Sequence, residues 1–308
     1  MRIRDVFGLS PLPLRAREAW VALRGGPDLP KTRYDLSSLG VLHPTLALRT
    51  WMGARRDDRR VPITNLFNRT RTPPELGWSV KKSQVRDFLG GDNTYDSHNG
   101  TDFAVPIGTV VVAAAPGVVL RVSSEFNRGG LKVFIDHGGG LATTSNHLGE
   151  SLVEVGQQVR RGQPIALSAY SGIDAVVTFP WGVPHVHFNV WLGGEYVDPF
   201  AAPGEIALWR GGNDPQPSDE VNEPFTPTRW NEAGVAAAVR ACKHPETRAA
   251  LEDERALDRR AMNVMFAMNY YPTRFTEIVT LMDEVMPRGP VLSLPFRKDD
   301  FAGIVLQD

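Results

Sequence analysis

A chain of 308 residues with 42% hydrophobic content can bury a sizeable core, as one large domain or two smaller ones. A formal net charge of -1 excludes a strong electrostatic attraction to nucleic acid or to an anionic membrane surface. The single cysteine, Cys242, excludes an internal disulfide and reads as a small packing hydrophobe in a helix of mostly small residues.

Residues 1–8 carry no apolar stretch of the kind an export signal needs, and no run along the chain approaches a membrane span. Residues 1–75 are punctuated by Pro11, Pro13, Pro30, Pro44, Pro62, Pro73 and Pro74, with one helical candidate at 14–24. They read as an irregular N-terminal arm laid over the domain that follows. The run Arg55-Arg56-Asp57-Asp58-Arg59-Arg60 mixes signs and reads as solvated surface.

Residues 76–209 read as a separate domain. Short β-branched or alternating runs at 109–113, 118–122, 131–136, 141–145, 163–167 and 185–192 are bounded by Gly, Pro and Asn, with no helical period between them. That pattern predicts an antiparallel sheet or small barrel. Gly138-Gly139-Gly140 is a hairpin turn, since it lacks the lysine and following helix of a phosphate-cradling loop. Residues 210–228, with Pro215, Pro217, Pro224 and Pro227 among small polar residues, read as a linker. From 229 to 308 the period turns helical, with candidates at 231–243, 246–269 and 273–286. Leu257, Ala261, Val264, Met265 and Met268 recur at threes and fours, which is a core stripe. The tail at 291–305 adds a strand or two.

The chemistry-bearing stretch is Pro184-His185-Val186-His187-Phe188-Asn189-Val190. Side chains alternate between the faces of a strand, so Val186, Phe188 and Val190 enter a core while His185, His187 and Asn189 share the other face. Taken alone, His-x-His is also what a half-buried strand with a polar face would show. The segment Asp96-Ser97-His98-Asn99-Gly100-Thr101-Asp102 adds a second His/carboxylate pair. A catalytic zinc uses three protein ligands and leaves a fourth position open. His98, Asp102 and one of His185 or His187 would complete such a set, and spacing does not decide between the last two. Asn146-His147-Leu148 lies between these segments in sequence.

His98-x-Gly100-x-Asp102, then His147-Leu148, then Pro184-His185-x-His187-Phe188 resemble, in that order, the three signature motifs of the lysostaphin and LytM type of zinc metallopeptidase. Asp136-His137-Gly138 and the closing Tyr196-Val197-Asp198-Pro199 agree with it, and the resemblance covers about residues 90 to 205. It implies a mainly β, LytM-like catalytic domain with an irregular N-terminal arm and an α-helical C-terminal extension outside it. It further implies one Zn2+ per chain, held by His98, Asp102 and His187, with His147 and His185 as catalytic base, acid or oxyanion donor. His137 is assigned to structure.

The implied activity is that of a zinc metalloendopeptidase hydrolysing a peptide bond in peptidoglycan stem peptides or cross-bridges. The alternatives are a non-catalytic LytM-like regulatory or binding module, or an intracellular zinc hydrolase of a non-wall peptide. The resembling family is usually extracytoplasmic, and in it an upstream segment can plug the zinc cleft. The implied partner is a peptide or peptidoglycan substrate, with no nucleic acid and no integral membrane segment; the sequence sets no oligomeric state. Two departures fall on the cleft wall. Ser145 stands where the family usually has an aromatic, and the loop 168–184, with Tyr170, Phe179, Pro180, Trp181 and Val183, is longer and more apolar than usual.

Overall fold

The computed structural model describes residues 1–26 and 28–306. In chain order, α1 is Ile3–Val6, α2 Leu12–Arg24, α3 Pro44–Trp51 and β1 Arg60–Asn65. The sheet continues through β2 (Thr101–Ala104), β3 (Val110–Val112), β4 (Gly117–Glu125), β5 (Gly130–Asp136), β6 (Leu141–Ser151), β7 (Gln158–Val159) and β8 (Pro164–Ser168). A short helix α4 (Ile173–Thr178) precedes β9 (His185–Leu192) and β10 (Glu195–Val197). Then follow α5 (Glu232–Ala241), α6 (Pro245–Asp253), α7 (Leu257–Tyr270) and a last strand β11 (Gly303–Leu306). Among the described residues, no helix is long and apolar enough to cross a membrane.

The strands join one sheet in the order β11-β1-β2-β9-β6-β5-β4-β7, with β10 on β9 and β8 bridging β6 and β3. All pairings are antiparallel except β1 with β11. The fold is therefore mainly β, but the path runs from one edge to the other without closing, so the small-barrel form is corrected to an open sheet. A further difference is α4, a short helix inside the long apolar stretch before β9 that was expected to be loop throughout.

The two faces of the sheet are used differently. Val186, Phe188 and Val190 of β9 enter a core with Phe103, Val133, Ile135, Trp209, Leu292, Leu294 and Phe296, as alternation demands. On the opposite face, Trp191, Phe134, Ala142 and Leu120 meet the helices α5 and α7 in a second core. His185, His187, Asn189 and Trp191 share this face, so the polar site and the helical core lie along one strand.

In the C-terminal part, Asn231 caps α5 by accepting from the Gly234 N–H at 2.8 Å, and His244 caps α6 by accepting from the Thr247 N–H at 3.2 Å. The expected helix 246–269 is broken at Glu254, whose extended backbone (ψ 118) and carboxylate, accepting from the Ala256 N–H, start a new helix. The expected helix 273–286 reduces to one 3₁₀ turn at Pro272–Arg274, and the chain beyond it is irregular, with bends and isolated bridges at Phe275 and Met282. There Leu281 and Met282 bury against the second core, a tertiary gain that outweighs the weak helix preference of a stretch rich in Thr, Ile and Val. At the other end of the chain, the N-terminal residues dock on the loop before β9. The Tyr170 N–H donates to Val6 O, and Phe7 stacks on Trp51 and meets Phe179 edge-on.

Candidate functional site

Strand register assembles the site. Asp102 of β2 lies opposite His187 of β9, which lies opposite Asn146 of β6. Directly opposed residues project on the same face, so the three side chains share one patch. His98, in the turn before β2, completes the set. His98, Asp102 and His187 are all buried, each offers one ligand atom, and those atoms lie within 4.8 Å of one another. His98 Nε2 is 3.2 Å from His187 Nδ1 and 3.1 Å from Asp102 Oδ2, and His187 Nδ1 is 2.7 Å from Asp102 Oδ1.

His98 Nδ1 donates to Leu66 O at 2.6 Å, so its Nε2 carries a bare lone pair aimed into the group. Asn65 Nδ2 donates to Asp102 Oδ2 at 2.9 Å and fixes the carboxylate's orientation. Three buried acceptors converging this closely are a donor set for a cation of zinc's preferences. Burial opposes ionisation of Asp102, but His98, His185 and His187 hold its carboxyl well below the usual range. Burial pushes His187 down to about 4 against the pull of Asp102, which keeps its ring neutral as a ligand must be.

Gly100 stands where a side chain has no room. A Cβ there would lie 2.7 Å from His187 Nε2 and 2.7 Å from Phe188 O. Its place in the His-x-Gly-x-Asp motif thus follows from the close approach of the turn to β9.

His147 reaches the same patch by a different device. Strict alternation would send it to the face opposite Asn146. Instead Leu131 pairs with Leu148 while Val133 pairs with Ser145, so β6 holds one extra residue, and His147 takes a left-handed φ of 59°. This bulge turns two successive side chains to one face. The His147 ring lies 4.7 Å, centroid to centroid, from that of His185 and 6.2 Å from that of His187. His147 Nδ1 donates to Ser171 O and His185 Nδ1 to Val183 O, both at 2.7 Å, which leaves each Nε2 free as an acceptor. Burial, then the neighbouring His185 and His187, lower the His147 pKa well below its ordinary value, so its ring is neutral at pH 7. His185 Nε2 is 3.5 Å from Asp102 Oδ1.

All five polar residues singled out from sequence therefore come together. Several of their supports were not singled out: Asn65 on β1, Ser171 in the loop before α4, and Tyr270 at the end of α7. The Tyr270 hydroxyl donates to Asn146 Oδ1 at 3.1 Å and approaches Asn189 Oδ1 at 3.2 Å, while Asn189 Nδ2 donates to Asn99 O and Oδ1. A cavity of about 520 Å3 opens beside His147 and His187, walled partly by residues of the N-terminal segment such as Leu23, Tyr34 and Leu39.

Comparison with known proteins places these residues in a family. Residues 96–199 match peptidase family M23. The chain is 41% identical over 105 residues to a peptidoglycan DD-endopeptidase, ShyA, of Vibrio cholerae, covering 34% of this chain and 23% of that protein. It is 38% identical over 102 residues to an uncharacterized metalloprotease of Haemophilus influenzae, covering 33% of this chain and 20% of that protein. Among solved structures, a zinc-containing peptidase from Vibrio cholerae is 32% identical, with a TM-score of 0.34, over 47% of this chain and 39% of that one. The chain thus spans less than a quarter of the length of these two curated relatives. Residues 96–199 are a peptidase family M23 domain, carried on a chain whose N- and C-terminal parts lie outside the match.

Proposed function

We propose that this chain is a zinc-dependent endopeptidase that hydrolyses a peptide bond in peptidoglycan stem peptides or cross-bridges. The observation that carries the reading is the convergence of His98 Nε2, Asp102 and His187 Nδ1 beside two further imidazoles, each held through Nδ1 by a backbone carbonyl. The similarity to a peptidoglycan DD-endopeptidase supports the substrate class.

His98, Asp102 and His187 would hold one zinc ion. When bound, zinc supplies Lewis-acid polarisation of a carbonyl and lowers the pKa of water to about 7. Holding it through Nδ1 requires His187 to carry its proton on Nε2, where Asn99 Oδ1 is available as acceptor at 3.2 Å. Without a cation, Nδ1–H donates to Asp102 instead and Nε2 can accept from Asn189 Nδ2 at 2.9 Å.

His147 Nε2 is placed to take a proton from the attacking water and return it to the leaving amine, its ring held by the bond to Ser171 O. His185, in its protonated form, is placed to donate from Nε2 to the oxygen on which charge develops. The Tyr170 ring packs against both imidazoles, 5.7 Å from His147 and 5.1 Å from His185 between centroids, and covers this side of them. The division into an arm over 1–75, a peptidase domain over 76–209, a linker over 210–228 and a helical extension over 229–308 accompanies this reading. The arm residues that wall the cavity support a role for the first segment in limiting access.

The test is release of new amino termini from purified peptidoglycan by the zinc-loaded chain, with His185→Ala as comparison. Turnover by the native chain, lost in a variant that keeps its zinc, supports the reading. Retained zinc with no release from peptidoglycan or from glycine-rich peptides replaces it with a binding module or a hydrolase of another peptide.

A further inference from the structure

Four cationic side chains are buried among the described residues: Arg15, Arg128, Lys132 and Arg161. Three of them are neutralised by a carboxylate, Arg15 by Glu18 at 2.7 Å, Lys132 by Glu125 at 2.6 Å and Arg161 by Glu223 at 2.7 Å. Arg128, only 8% exposed, has no such partner among the described residues. Its guanidinium lies between the rings of Trp78 and Tyr271, 5.8 and 5.5 Å from their centroids. Nη1 donates to Asn127 O at 2.8 Å and Nε to Tyr270 O at 3.3 Å, both neutral acceptors, and Nη2 has no acceptor among the described residues. A buried charge without an ion-pair partner is costly, and an anion entering from outside the chain would relieve that cost.

What Arg128 faces is the cleft. It lines the cavity of about 520 Å3 that contains His147 and His187, and also an adjoining cavity of about 440 Å3 that contains His98. Asp174 lines the first cavity too and its charge favours that of Arg128, but it forms no ion pair with it: its side chain is 47% exposed and lies 4.0 Å from His147 Nε2. The position of Arg128 relative to the imidazoles is fixed. The His147 N–H donates to Gly129 O at 2.8 Å, the Tyr271 hydroxyl donates to Asn127 Oδ1 at 3.3 Å, and Leu131 N–H donates to Ser171 Oγ at 3.0 Å. Gly130, at φ 62°, is pressed so closely on Ser171 that a Cβ would overlap it. The charge is thus clamped one residue from the carbonyl that holds the backbone of His147.

Resting on the hydrolase reading above, we propose that Arg128 is a specificity-determining residue that binds a free carboxylate of the peptide substrate next to the scissile bond. The planar guanidinium fork suits a carboxylate, and the Trp78 and Tyr271 rings pack against it. Burial, which pulls the Arg128 pKa down from its ordinary value, strengthens the pairing once an anion enters. The carboxylate comes either from the peptide's C-terminus or from an amino-acid side chain, and amidation at one position at a time separates the two.

The experiment compares kcat/KM of the zinc-loaded full chain on one soluble cross-linked peptide and on two versions carrying a carboxamide at the terminal or at the side-chain carboxylate. The native chain should prefer the free acid over one of the amides by on the order of tenfold or more, mainly in KM. Arg128→Gln should bring that ratio near one, and Arg128→Lys should restore part of it. A native ratio near one for both amides overturns the proposal whether or not the variants fold. So does an Arg128→Gln loss that is equal on acid and amide. If no peptide is cleaved, the hydrolase reading fails, and calorimetric binding of the same three peptides still reads the ratio that decides the role of Arg128.

Discussion

Tyr270, the last residue of α7, places its hydroxyl 3.1 Å from the amide oxygen of Asn146, the residue immediately before His147. A helix outside the family match therefore helps hold the polar layer beneath the imidazoles. Tyr270→Phe keeps the ring packed on Phe266 and Trp191 and removes only the donor. We expect a loss of about 1 kcal/mol of stability by thermal unfolding. A several-fold drop in kcat/KM should accompany it, with zinc content unchanged.

Gly100→Ala tests the close approach of the turn to β9. The added Cβ meets His187 Nε2, Phe188 O and Asn189 Nδ2 at 2.7 to 2.9 Å, so the ring or the turn must shift. The expected result is zinc affinity weakened by on the order of 10- to 100-fold, as when a ligand's support is disturbed. Competition with a chromophoric chelator measures it.

His147→Ala and His185→Ala should each retain zinc, because neither side chain belongs to the converging trio. Turnover should fall by on the order of 10²- to 10⁴-fold in each, the range for loss of a positioned proton carrier. Zinc content by atomic emission and single-substrate kinetics, taken together, check both halves of the claim.

His137 is a structural histidine with a predictable pH signature. Its Nδ1 donates to Pro116 O and its Nε2 accepts from the Thr143 hydroxyl, both at 2.8 Å, so the neutral ring is fully bonded. Burial lowers its pKa to about 4, against 6.5 when exposed. The unfolded chain then binds the extra proton between these values. The stability this group contributes is fully present above pH 6.5 and is lost as pH falls through 4. Allowing for partial exposure, the loss is roughly 2 kcal/mol. Denaturant titrations from pH 7 to 4 should show it in the native chain and show a flatter acid limb in His137→Gln.

Much of the site was legible because strands repeat every two residues. Alternation on β9 places His185, His187 and Asn189 on one face and Val186, Phe188 and Val190 in the core, as found. What alternation could not show is the bulge at Asn146 and His147, since an extra residue in β6 reverses the expected face of His147. Asn65 and Tyr270 come from outside the motifs, and nothing local marks them as supports. That Arg128 alone of the four buried cations has no carboxylate partner among the described residues is a tertiary fact. The failed helix at 273–286 shows the same limit, with Leu281 and Met282 placed by packing on the second core rather than by local period.

The most direct measurement is anomalous diffraction at the zinc edge from crystals of the zinc-loaded chain. The account predicts a single peak per chain bonded to His98 Nε2, an Asp102 oxygen and His187 Nδ1, with the His147 and His185 rings beside it and not bound to it. Absence of a peak there, or a zinc ion held by His147 or His185 in place of His187, would contradict it.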